Sequence, residues 1–249
     1  MDGFPHLTRA PITEALIDFR FSPGNGVTIE SIRAIASKCG DDYFVKAPVI
    51  RSKFNFTVDE DTQTEANAAA SEIGVRLHSK DEKNVLIITT EGFTYSRLEP
   101  YETWEALSSE ARRLWLIVAK SGTVNGISRA AVRYVNNLRL PLKDGDLLET
   151  YLVKPPELPE SLPQAISSYV QRIALSDHES GTSIVITQVL QGGSPPDLPV
   201  PLILDIDVFK IAESDPKGEE VWNLLEQLRI LKNRFFFNSL TPAAIELYK

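Results

Sequence analysis

Two runs of branched and aromatic residues, Val85-Leu86-Ile87-Ile88-Thr89-Thr90 and Phe93-Thr94-Tyr95-Ser96-Arg97-Leu98, are separated only by Glu91-Gly92. A connection that short joins antiparallel neighbours and leaves no room for a crossover helix, so the chain must build at least part of its fold as a meandering antiparallel sheet. A third run lies near the start. In Ile12-Thr13-Glu14-Ala15-Leu16-Ile17-Asp18-Phe19-Arg20-Phe21, strand alternation puts Ala15, Ile17, Phe19 and Phe21 on one face and Glu14, Asp18 and Arg20 on the other, with Leu16 the exception on the polar side. Ser22-Pro23-Gly24-Asn25-Gly26 supplies a turn, and Thr28 caps a short helix carrying Ile32, Ile35 and Ala36.

Further strands are predicted at 52–58, 74–78, 128–140, 169–175, 182–191 and 202–211. Two longer helices separate them. Over 102–121, Trp104, Leu107, Ala111, Leu114, Trp115 and Val118 recur at helical spacing. Over 218–236, Val221, Leu224, Leu225, Leu228, Leu231 and Phe235 form the apolar stripe, with Glu219, Glu220, Glu226, Arg229 and Lys232 assigned to the wet side. The fold class is therefore α+β: a mainly antiparallel sheet in two similar halves, each with a long amphipathic helix packed on the sheet. Pro155, Pro156, Pro159 and Pro163 interrupt regular structure, so residues 1–142 read as one α+β subdomain, 143–165 as a Pro-rich connection and 166–249 as a second subdomain. A continuous single domain is the alternative.

The blocks Ala10-Pro11-Ile12-Thr13-Glu14-Ala15-Leu16-Ile17-Asp18-Phe19-Arg20-Phe21, Phe93-Thr94-Tyr95-Ser96-Arg97-Leu98-Glu99-Pro100-Tyr101-Glu102-Thr103-Trp104, Arg133-Tyr134-Val135-Asn136-Asn137 and Leu204-Asp205-Ile206-Asp207, with Leu228-Arg229 and Lys232-Asn233, span nearly the whole chain. In content and order this set resembles a sporadically distributed, uncharacterised prokaryotic protein family whose members are about this long. The resemblance implies no activity and no catalytic residues. Its patchy distribution implies a mobile-element or defence setting.

Composition narrows the classes. At 43% hydrophobic and 24% charged residues the chain is that of an ordered globular protein. Its 34 acidic against 26 basic residues, a formal charge of -8, disfavour a nucleic-acid partner. The single Cys39 fits a reducing cytoplasm, and the sequence has neither signal-peptide regions nor an apolar run of roughly 18 residues to span a membrane. No cofactor signature is present; Ser180-Gly181-Thr182 and Gln191-Gly192-Gly193-Ser194-Pro195 share only composition with phosphate loops and read as hairpin turns. His6, His78 and His178 lack ligand spacing.

In Leu202-Ile203-Leu204-Asp205-Ile206-Asp207-Val208-Phe209, Asp205 and Asp207 share a strand face. Two carboxylates so placed are candidate ligands for a hard divalent cation, against the favoured reading of a solvated or arginine-paired face. Glu14, Asp18 and Arg20 on one strand, and Arg133 and Arg139 on another, would form a charged ladder if the strands are neighbours. With Arg97 and Asn136 they would instead line a polar cleft for a small anion. Phe235-Phe236-Phe237 cannot all face one helix stripe, which makes them interface candidates.

These observations predict an intracellular binding or regulatory protein acting through a protein partner, with self-association compatible with the sequence. An enzyme acting on a phosphate-containing or other anionic substrate through Asp205 and Asp207 is the alternative.

Overall fold

The computed structural model describes residues 4–24, 27–58, 64–143, 146–192 and 198–249, without the side chains of 53–58, 64–68 and 212. The elements run β1 (Ile12–Pro23), α1 (Ile29–Ala36), β2 (Tyr43–Val58), β3 (Thr64–Ser79), β4 (Asn84–Thr89), β5 (Gly92–Leu98), α2 (Trp104–Ala119), β6 (Val124–Leu140), a 3-10 turn (Leu148–Thr150), β7 (Tyr169–Asp177), β8 (Thr182–Leu190), β9 (Val200–Ser214), α3 (Glu220–Ser239) and α4 (Pro242–Glu246). The class is α+β, and the described strands form one nine-stranded sheet in the order β2-β3-β4-β5-β1-β6-β9-β8-β7. Every pairing is antiparallel.

Two meanders explain that order. After β1 the chain crosses with α1 to the far edge and returns strand by strand until β5 pairs with β1. After β6 it crosses over the Pro-rich stretch to β7 and returns until β9 pairs with β6. The two meanders meet where β1 pairs with β6, so the sheet continues without a break across the proline-rich connection.

Residues opposite one another in an antiparallel pair point to the same face. Ile17 lies opposite Tyr95 and Val132, Val132 opposite Val208, and Tyr134 opposite Ile206, which carries one apolar face across the middle of the sheet. Three helices pack on that face: α1 against β3 and β4, α2 against β1 and β5, and α3 against β6 and β9. Thr28 caps α1 in a capping box with Ser31, and Thr103 caps α2 by accepting from the Ala106 N–H.

Trp115 of α2 is the wedge in this layer. Its ring lies 4.7 Å from Phe19 and 5.3 Å from Phe93, and its indole N–H donates to the Pro216 carbonyl at 2.7 Å. No described helix is long and apolar enough to cross a membrane.

Three local expectations change. Strands β2 and β3 are each 16 residues, longer than the segments predicted there, because Thr64–Ala70 is too rich in alanine to show alternation yet still completes the ladder with β2. The β4–β5 turn is Thr90-Glu91; Gly92 already belongs to β5, where a Cβ would come within 2.8 Å of the Arg20 guanidinium. Lys232 is buried at 6% exposure, on the same stripe of α3 as Val221, Leu225, Leu228 and Phe236.

Replacing Trp115 with Ala removes a fully buried ring and strands the Pro216 carbonyl. It should cost about 3–5 kcal/mol in urea unfolding, several times the effect of an exposed-helix substitution such as Ser109→Ala.

Candidate functional site

The face of the sheet opposite the helices carries the charged ladder. Asp18 sits at its centre with its side chain only 8% exposed. Arg129 donates to Asp18 at 2.8 Å and to Asp207 at 3.0 Å, bridging three adjacent strands. The same guanidinium lies 4.2 Å from the Phe209 ring centroid. Thr94 donates its hydroxyl to Asp18 at 2.7 Å, and Arg20 adds a contact at 3.3 Å. Asp205 is held by both ends of the Arg133 fork, at 2.8 and 2.6 Å.

Asp205 and Asp207 thus share a face, as the alternation requires, and each faces an arginine. Among the described residues no group of three or more histidine, cysteine or acidic side chains is placed to hold a metal ion. Burial raises the Asp207 carboxyl above its ordinary value and outweighs the opposing pull of Arg129 and Arg133. Glu14 makes no described ion pair; it contributes only to the field that, with the bonds to Asp205, holds the Arg133 guanidinium protonated.

Arg97 and Asn136 do not join this ladder, which corrects the grouping expected from sequence. Arg97 lies opposite Ala15 and so faces the helices, bonded to Glu102 at 2.6 Å and to Asn84 at 3.3 Å. Asn136 lies opposite Leu204 on that same side, with its amide donating to the Leu204 carbonyl at 2.9 Å.

On the helix side the structure opens a cleft of about 800 Å³. Its floor is the β1–β6 pairing, with Ile12, Tyr134 and Asn136; its walls are the start of α2 and the second half of α3; the segment 4–11 runs along its border. Lys232 stands over the Tyr134 ring with its ammonium 3.6 Å from the centroid. The Tyr101 and Tyr134 hydroxyls share a hydrogen bond of 3.0 Å, and burial pushes the Tyr101 phenol up to about 12 and the Tyr134 phenol well above its usual range, so both are protonated at neutral pH. Arg229 is bonded to Glu226 and lies 5.7 Å from the Trp104 ring centroid.

The three phenylalanines partly belong here. Phe236 is buried and Phe235 and Phe237 are half-buried; Phe236 and Phe237 line the cleft, where Phe237 stacks on Phe4 at 4.7 Å. Lys232, Tyr101, Tyr134 and Trp104 are the site residues that sequence reasoning did not single out. The signal for Lys232 was its spacing, four residues from both Leu228 and Phe236. Cys39 is fully buried, and its thiol is pushed up to about 11 by that burial. The turn at Ser180-Gly181-Thr182 is a hairpin between β7 and β8 with Gly181 at φ +66°, while 193–197 of the second glycine-rich stretch lie outside the described residues.

Arg129→Met should cost about 3 kcal/mol, because it leaves the buried Asp18 carboxylate with weaker partners. Arg133→Met, removing a side chain 45% exposed, should cost at most about 1 kcal/mol. Chemical unfolding of the two variants checks the ranking. Asp207 carries a pH signature as well. An acid with a raised folded pKa holds its proton more tightly in the fold, so its contribution to stability falls as pH climbs from 3.8 through the raised value. Asp207→Asn lacks that fall, so the stability of the variant relative to wild type should rise across this window and level off above it in urea melts at stepped pH.

No protein-family model matches the chain, and no curated protein matches it. The functional reading therefore rests on the side chains and edges of the fold itself.

Proposed function

We propose that this is a non-catalytic binding or regulatory protein of the cell interior, and that it acts through a protein partner whose extended segment adds to the sheet along β7. The observation that carries this reading is the state of that edge. β7 pairs with β8 through nine consecutive residues without a register shift, from Tyr169 opposite Leu190 to Asp177 opposite Thr182. Val170 is 74% exposed, and Ile173 and Leu175 are also exposed. Natural sheets blunt their edges with lysine, proline or bulges. The opposite edge, β2, has all three: Lys46, Pro48 and two register shifts. β7 has none of the three, its only charges being Arg172 and the terminal Asp177, and a straight, largely apolar edge is what strand addition uses.

We further read the two meanders as similar halves, each covered by a long amphipathic helix, and the setting as a mobile-element or defence one, in keeping with the family resemblance. The net charge of -8 favours a protein over a nucleic acid on these surfaces. The enzyme alternative draws no support from Asp205 and Asp207, whose carboxylates are engaged by Arg133 and Arg129.

A photo-crosslinking amino acid at Val170 should capture one discrete partner in cells of the native host. Ile173→Pro should abolish the adduct while shifting the melting temperature by less than about 5 °C, since an edge strand contributes little to the core. A crosslink unchanged by Ile173→Pro, or no adduct at all, rejects the β7 reading.

A further inference from the structure

The edge strand Tyr169-Val170-Gln171-Arg172-Ile173-Ala174-Leu175-Ser176-Asp177 is complementary to itself. When a strand pairs antiparallel with its own copy about a twofold axis normal to the sheet, opposed residues share a face, so one residue must lie opposite its own counterpart. That choice fixes every other pair. Centring on Arg172 sets two guanidinium groups face to face. Centring on Gln171 sets Arg172 against Val170, centring on Ile173 sets Arg172 against Ala174 and Leu175 against Gln171, and centring on Leu175 sets Ile173 against Asp177. Centring on Ala174 matches the whole ladder: Ile173 meets Leu175, Arg172 meets the Ser176 hydroxyl, and Gln171 meets the Asp177 carboxylate.

The apolar pairs fall where they gain most. Ile173 lies opposite Ile186 and Leu175 opposite Ile184, whose partners on β9 are Ile206 and Val208, so both point to the helix side of the sheet. There α3 packs on β6 and β9, while Ile173 and Leu175 are left exposed. In the Ala174-centred pairing these side chains from two copies gather into one apolar cluster. The far edge of the sheet explains why assembly would stop at two. β2 is guarded by Lys46, Pro48 and two register shifts, so each copy offers one edge for pairing, and a twofold contact through it closes.

We infer that the strand added at β7 is the β7 of a second copy of this chain, paired antiparallel about Ala174 into one continuous sheet. This rests on the strand-addition reading above and names its occupant.

Sedimentation of the purified full chain tests it, at about 0.15 M salt, where repulsion between copies that each carry a charge of -8 is screened beyond about 8 Å. A reversible dimer should form with Kd below about 100 µM. Ala174 is exposed, and Ala174→Lys, which sets two ammonium groups face to face at the axis without touching the core, should weaken the dimer at least about tenfold. The register is read by mild oxidation. Opposed residues in an antiparallel pair have Cα atoms about 4.5–5.5 Å apart, within disulfide reach, so Ala174→Cys should give a covalent dimer at least about tenfold faster than Ile173→Cys. A mixture of Arg172→Cys with Ser176→Cys should give the mixed dimer ahead of either homodimer. The parent, whose Cys39 is fully buried, should give none. A chain that stays monomeric throughout the concentration range, a dimer that withstands Ala174→Lys, or Ile173→Cys oxidising as fast as Ala174→Cys would each overturn the inference. A monomer whose Val170 crosslinker captures a different protein in cells overturns self-pairing and leaves strand addition standing; a monomer with no adduct at all rejects both.

Discussion

The pairing of β1 with β6 is the contact on which the rest of the molecule depends. It runs from Ile12 opposite Asn136 to Pro23 opposite Val124, and joins the meander that ends in β5 to the one that ends in β9. Its partners lie more than a hundred positions apart, so the ladder forms only after a long loop has been closed, at an entropic cost that the buried Ile17, Phe19, Val132 and Tyr134 must offset. The same pairing sets the layout of both faces. On the helix side it provides the cleft floor, and on the other side it brings Asp18 beside Arg129.

The Asp18–Arg129–Asp207 bridge shows how a charged sheet face is kept in order. Each ion is partly desolvated, and a buried pair on its own gives little net stability. What the bridge adds is register: a shift by one residue would turn Asp18 and Arg129 toward the helices and Ile17 and Val132 toward water. The rise in the Asp207 carboxyl caused by burial fits this division, in which hydrophobic packing supplies stability and the ion pairs supply specificity.

Much of this was legible in the sequence wherever alternation was clean. Ala15, Ile17, Phe19 and Phe21 were readable as core, and they are buried; Asp205 and Asp207 were readable as one face, and they are. The first half of β3 was not, since its alanines satisfy either face and carry no period. Lys232 was misplaced for a different reason: its spacing put it on the apolar stripe of α3, and its charge argued it off again. The aromatic ring of Tyr134, against which the Lys232 ammonium rests, sits almost a hundred residues away and becomes visible only in three dimensions. Arg97 and Asn136, grouped with the ladder residues only in the polar-cleft reading, lie on the other face; the parity of their strand positions, fixed by pairing with Ala15 and Leu204, could not be assigned before the register was known.

The walls of the cleft come from the start of the chain, from the head of α2, from β6 and from the last turns of α3, and the segment leading into β1 is tied down where Arg9 bonds to the Leu247 and Tyr248 carbonyls. No contiguous fragment contains the site. The cleft is therefore coupled to the cooperative folding of the entire chain: opening either meander would take its walls apart, so hydrogen exchange deep in β5 and β9 should rise and fall together with exchange at the cleft itself.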